Sequence, residues 1–99
     1  MAGEDIVIKK TIEYLYETFD KPEIFIFGSF INGNFTEYSD IDIAIFLEDY
    51  EKYSLKDFAK SLFYIQNRIS SRIELHFFPG KQEPLTFSEY IRNTGKKVA

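Results

Sequence analysis

Residues 27–45 read FGSFINGNFTEYSDIDIAI, and they hold the end of one predicted strand, a polar loop and the start of a second strand. The first strand is predicted over residues 24–27, a short apolar run of β-prone residues. The second is predicted over residues 41–47, where alternation places Asp40, Asp42, Ala44 and Phe46 on one face and Ile41, Ile43, Ile45 and Leu47 on the other. About a dozen residues join the two strands, too few for a parallel crossover, so we expect an antiparallel pair.

Helices are predicted on either side of these strands. Residues 5–19 carry apolar side chains at the spacing of one helical face. Ser54 and Asp57 have the spacing of a capping box, which predicts a helix that begins there and ends at about residue 68. Residues 85–93 are predicted to form a last short helix, and residues 30–33 one helical turn.

A third strand is predicted over residues 72–78, with Arg72, Glu74 and His76 on one face and Ile73, Leu75 and Phe77 on the other. The order of elements indicates an α/β (α+β) fold in which helices flank a small mixed sheet. The length of 99 residues is typical of one domain, so a single domain over residues 1–99 is expected.

Composition excludes several classes of function. With 12 basic and 16 acidic residues the net charge is −4, which argues against direct nucleic-acid binding over a broad basic face. The chain has no cysteine, so disulfides, thiolate metal sites and cysteine nucleophiles are excluded. No apolar run reaches the roughly 18 residues that a membrane helix needs, and we expect a cytoplasmic protein that does not bind membranes.

Two features of residues 27–45 predict a site for a nucleotide and a metal ion. Gly28 and Ser29 lie where a strand gives way to a helical turn, so backbone N–H groups and a hydroxyl would point at one spot that suits a phosphate. Asp40 and Asp42 project from the same face of a strand, an arrangement of oxygen ligands that suits Mg²⁺.

Glu74 is a candidate third carboxylate. If its strand lies beside that of Asp40 and Asp42, the three acids could hold two metal ions, as nucleotidyl transfer requires. The alternative is a surface acid paired with Arg72 or Lys81. His76, the one histidine of the chain, is interpreted as a strand-face residue near solvent, with a general-base role as the less favoured alternative.

The pair Gly28-Ser29, ten intervening residues and then Asp40-Ile41-Asp42 resemble the signature of the DNA polymerase β-like nucleotidyltransferase superfamily, in its minimal single-domain branch (MNT). A helix upstream, a third acidic strand and an ending like residues 90–96 extend the resemblance over nearly the whole chain.

The resemblance implies a palm-like fold and the transfer of a nucleoside monophosphate to a hydroxyl of a partner protein. AMP from ATP is the favoured case, and another nucleoside triphosphate is the alternative. The resemblance also implies an antitoxin paired with a HEPN-domain RNase toxin. The sequence leaves the oligomeric state open, with a homo- or hetero-oligomer as the alternatives. Gly28 and Ser29 would hold the nucleotide phosphates. Asp40 and Asp42, with Glu74 as the third acid, would be the catalytic ligands of two Mg²⁺ ions, for which Mn²⁺ could substitute.

Two residues depart from the family pattern. Phe30 stands where many members have Arg or another polar residue, and Glu74 stands where the third acid is usually Asp. These departures leave an alternative open: a catalytically weak or inactive protein of the same fold that neutralises its partner by forming a complex.

Overall fold

The computed structural model describes residues 2–28, 40–80, 91 and 95–99, and within those ranges it describes side chains from residue 6 onward. The predicted turn at residues 30–33 and helix at residues 85–93 lie outside the described residues, except that Ile91 is helical. The elements in chain order are α1 (Ala2–Thr18), β1 (Glu23–Phe27), β2 (Ile41–Leu47), a short 3₁₀ helix (Tyr50–Lys52), α2 (Leu55–Arg68), β3 (Ile73–Pro79) and β4 (Lys96–Lys97).

The four described strands form one mixed sheet in the order β3-β2-β1-β4. β1 and β2 are antiparallel, as the short connection between them predicts. β2 and β3 are parallel, with α2 in the crossover between them. The predicted fold class, a small mixed sheet with helices, is therefore confirmed.

β4 was not predicted, because two exposed lysines carry no strand pattern. It pairs antiparallel with β1, and Lys97 Nζ lies 3.1 Å from Glu23 Oε2. Gly95 lets the chain approach β1 closely, since a Cβ at this position would lie 2.7 Å from the Ile91 carbonyl oxygen and 3.0 Å from that of Ile26. The edge strand thus depends on backbone fit rather than on side-chain character.

The alternation of side chains along the strands divides the core between the two faces of the sheet. One face packs against α1 and α2 through a large cluster of buried residues: Leu15, Phe19, Ile24, Ile41, Ile43, Ile45, Leu47, Phe58, Ile65, Ile73 and Leu75. The opposite face carries a smaller cluster of Phe25, Ala44, Phe46 and Ile91, with Phe27 and Phe78 packed against it. The predicted division of β2 into an isoleucine-rich face and an aspartate-bearing face is confirmed.

α2 begins with the predicted capping box. The backbone N–H of Asp57 donates to Ser54 Oγ at 3.2 Å, and the backbone N–H of Ser54 donates to Asp57 Oδ2 at 2.8 Å. Two N–H groups of the first turn, which have no partner within the helix, are satisfied in this way. None of the described helices is both long enough and apolar enough to cross a membrane.

Ser54→Ala is expected to lower the free energy of unfolding by about 1 kcal/mol, because the Asp57 N–H loses its acceptor. Urea denaturation followed by circular dichroism measures this change. Ser71→Ala is the matched control, since Ser71 is exposed in the turn before β3. Equal stability of the two variants would show that the capping box contributes nothing measurable.

Candidate active site

The candidate site lies on the face of the sheet opposite the two helices, where β1 ends and β2 begins. Asp42 is the second residue of β2, and the strand register pairs it with Phe27 of β1 and Glu74 of β3. Side chains of directly paired residues project to the same face of a sheet. The strand of Glu74 therefore lies beside the strand of Asp42, as a ligand role for Glu74 requires.

Asp40 immediately precedes β2 and is exposed, whereas Asp42 and Glu74 are half-buried. The start of β2 is tied to β3 because the backbone N–H of Ile41 donates to the Arg72 carbonyl at 2.8 Å. The structure thus brings Asp42 and Glu74 together on neighbouring strands and leaves Asp40 exposed immediately before β2.

Gly28 leaves space for the Asp42 carboxylate because it has no Cβ. Its φ of +80° lies in the left-handed region that favours glycine, and an ideal Cβ here would lie 2.6 Å from Asp42 Oδ2. Only glycine leaves the carboxylate its observed position. Ser29, the other predicted phosphate-binding residue, lies outside the described residues.

His76, predicted as a strand-face residue near solvent, contacts the Asp42 carboxylate of the candidate site. Its Nε2 lies 3.3 Å from Asp42 Oδ1, and its ring packs edge-on against Phe27 with 5.1 Å between ring centroids. His76 pairs in register with Ala44, whose small side chain leaves room for the imidazole to lean toward Asp42. In the sequence, the feature that could have predicted this contact is the position of His76 two residues after Glu74, on the same face of the strand.

The donor set suits a hard divalent cation, because Asp42 and Glu74 supply the oxygen ligands that Mg²⁺ prefers. Within the part of the chain that the structure describes, no group of three or more His, Cys, Asp or Glu side chains is arranged to hold a metal ion. The strand register places two carboxylates side by side on one face of the sheet, and Asp40, immediately before β2, is exposed.

A separate pocket of about 540 Å³ lies at the opposite end of β2 and β3, lined by Glu48, Asp49, Tyr50, Glu51, Lys52 and Pro79. Its acidic lining does not suit a triphosphate. The candidate site at the Gly28 end of the sheet is a different region, where β1 ends beside the strands of Asp42 and Glu74.

Comparison with known protein families agrees with the observed fold. A family model described as "Polymerase beta, Nucleotidyltransferase" matches residues 9–99, which is nearly the whole chain. No curated protein matches the chain, and no solved structure does. On the strength of the family match, the chain belongs to the polymerase beta nucleotidyltransferase family.

Proposed function

We propose that this protein is a metal-dependent nucleotidyltransferase that moves AMP from ATP to a hydroxyl of a partner protein. The observation that carries the proposal is the pairing of Asp42 with Glu74 on parallel strands, with the backbone of Gly28 against the Asp42 carboxylate. In a domain of the nucleotidyltransferase family, this places two acidic side chains where a strand ends and a phosphate-binding turn is predicted.

Each site residue has a proposed role. Asp40, Asp42 and Glu74 hold Mg²⁺, or Mn²⁺ in its place, and Gly28 with Ser29 positions the nucleotide phosphates. When bound, the metal ions would activate the attacking hydroxyl and stabilise the charge on the leaving pyrophosphate. The bond that forms joins the acceptor oxygen to the α-phosphorus, and the bond that breaks links the α-phosphorus to the β-phosphate.

The proposed acceptor is a tyrosine hydroxyl of a HEPN-domain RNase toxin, and the proposed biological role is that of its antitoxin. Support for this part comes from the resemblance of Gly28-Ser29 and Asp40-x-Asp42 to the minimal branch of the superfamily. The acceptor is the finest level of the proposal, and the transfer assay tests it together with the chemistry.

The test is a transfer assay with the purified chain, Mg²⁺ and a HEPN-domain protein encoded by a neighbouring gene. We expect label from α-³²P-ATP to appear on the HEPN-domain protein and label from γ-³²P-ATP to remain in solution. Glu74→Gln should weaken labelling, because it removes one charged ligand. Incorporation of the γ label would indicate a kinase instead, and absence of α label with every nucleoside triphosphate would contradict nucleotidyl transfer.

A second candidate function is neutralisation of the partner by complex formation without catalysis. The observations that favour it are Phe30, where many family members have a polar residue, and Glu74, where the third acid is usually Asp. A variant with both Asp40→Asn and Asp42→Asn separates the two functions. If it still binds the toxin and suppresses toxicity, occlusion is sufficient; if it binds but no longer protects, catalysis is required.

Thermal unfolding supplies a simpler comparison. ATP with Mg²⁺ at a hundred times its dissociation constant should stabilise a nucleotide-binding protein by about 2.7 kcal/mol. The absence of any shift would favour the non-catalytic candidate.

A further inference from the structure

The two oxygens of the Asp42 carboxylate have different neighbours. Oδ1 lies 3.3 Å from His76 Nε2, and Oδ2 lies where a Cβ on Gly28 would come within 2.6 Å of it. The carboxylate therefore has an imidazole next to one oxygen and a residue without a Cβ next to the other. A carboxylate that an imidazole already holds in one orientation loses less conformational entropy when it binds a cation.

The His76 ring is held in turn by its surroundings. It packs edge-on against Phe27, and Phe27 is the register partner of Asp42 on β1. The side chains of His76 and Asp42 are 37% and 28% exposed, so water only partly screens their contact. β1 thus supports the imidazole from one side while β3 fixes its backbone.

We propose that His76 is a positioning residue that fixes the orientation of the Asp42 carboxylate. With its proton on Nε2, the ring donates to Oδ1 and leaves the remaining lone pairs of the carboxylate for a metal ion. The contact stands on geometry alone, and its consequence for metal binding rests on the proposed function. Partners of this kind alter metal affinity by about 10- to 100-fold.

The contact itself is tested by NMR without any metal. His76 is the only histidine in the chain, so a long-range ¹H–¹⁵N spectrum contains one imidazole. At fixed pH we expect the proton on Nε2, and we expect the Nε2 resonance to move in Asp42→Ala but not in Asp49→Ala, which alters the opposite end of β2. A ring with its proton on Nδ1 and none on Nε2, or identical spectra in the two variants, would overturn the contact.

The consequence is tested with Mn²⁺ alone, titrated while free Mn²⁺ is followed by electron paramagnetic resonance. His76→Phe keeps a ring against Phe27 but removes the donor, and its dissociation constant should rise about tenfold. His76→Gln retains an N–H donor and should stay within about threefold of the unmodified protein. Unchanged affinity in His76→Phe, or equal weakening in both variants, would overturn the positioning role.

The two tests separate failure of this inference from failure of the proposed function. If the unmodified protein binds no Mn²⁺, the metal-dependent function is contradicted, and the Nε2 spectrum still decides whether His76 holds Asp42. Circular dichroism of each variant before titration shows that loss of affinity does not come from loss of fold.

Discussion

Asp42→Asn is expected to reduce the rate of nucleotidyl transfer by at least about a hundredfold. The substitution removes a charged ligand of the metal ions that would stabilise the negative charge of the transition state. Asn is nearly the same size as Asp, so the contacts with Gly28 and His76 retain their shape. The free energy of unfolding should therefore change little, and initial rates with α-labelled ATP at saturating Mg²⁺ measure the effect on catalysis.

Asp49→Asn is the matched control for this substitution. Asp49 follows β2 at its other end, is exposed and makes no side-chain capping bond to the 3₁₀ helix. The Asp49→Asn substitution removes the same charge from the chain, so a general electrostatic effect on the rate would appear equally in both variants. If Asp42→Asn and Asp49→Asn have equal rates of transfer, Asp42 has no catalytic role.

Gly28→Ala is expected to have the second large effect, on activity and stability together. The positive φ of +80° would cost roughly 1–2 kcal/mol for a residue with a Cβ. The new methyl group would also displace Asp42 Oδ2, because the carboxylate is the end of a flexible side chain and gives way more easily than the backbone. Displacement by about an ångström lowers activity by roughly a hundredfold.

A double-mutant comparison separates the two causes. In an Asp42→Ala background the carboxylate is gone, so Gly28→Ala should retain only the cost of positive φ. Urea denaturation should show a smaller destabilisation in that background, and the difference reports the clash with Asp42. Full activity in Gly28→Ala would show that close approach of Gly28 to the carboxylate has no catalytic importance.

Local sequence patterns account for much of this architecture. Period-two alternation predicted both faces of β2 and the boundaries Ile41–Leu47, which the structure reproduces. The capping box at Ser54 and Asp57 predicted the start of α2, because hydrogen bonds over three residues depend only on local geometry. The antiparallel pairing of β1 and β2 followed from the length of their connection.

Other features depend on contacts between residues distant in sequence. β4 carries no strand pattern of its own and exists because β1 offers an open edge next to a close approach at Gly95. The contact between His76 and Asp42 joins residues 34 positions apart and requires the parallel register of β2 and β3. A shift of one residue in that register would turn Glu74 and His76 to the other face.

The sequence by itself determined that the chain forms a small mixed sheet and that Gly28, Ser29, Asp40 and Asp42 are its candidate nucleotide and metal residues, because turns, caps and side-chain alternation are local properties. Only the tertiary structure decided that Glu74 lies beside Asp42 and that the missing Cβ of Gly28 leaves space for the Asp42 carboxylate. It also decided that His76 contacts this carboxylate. These relations are set by strand order and register, which depend on how the whole sheet packs.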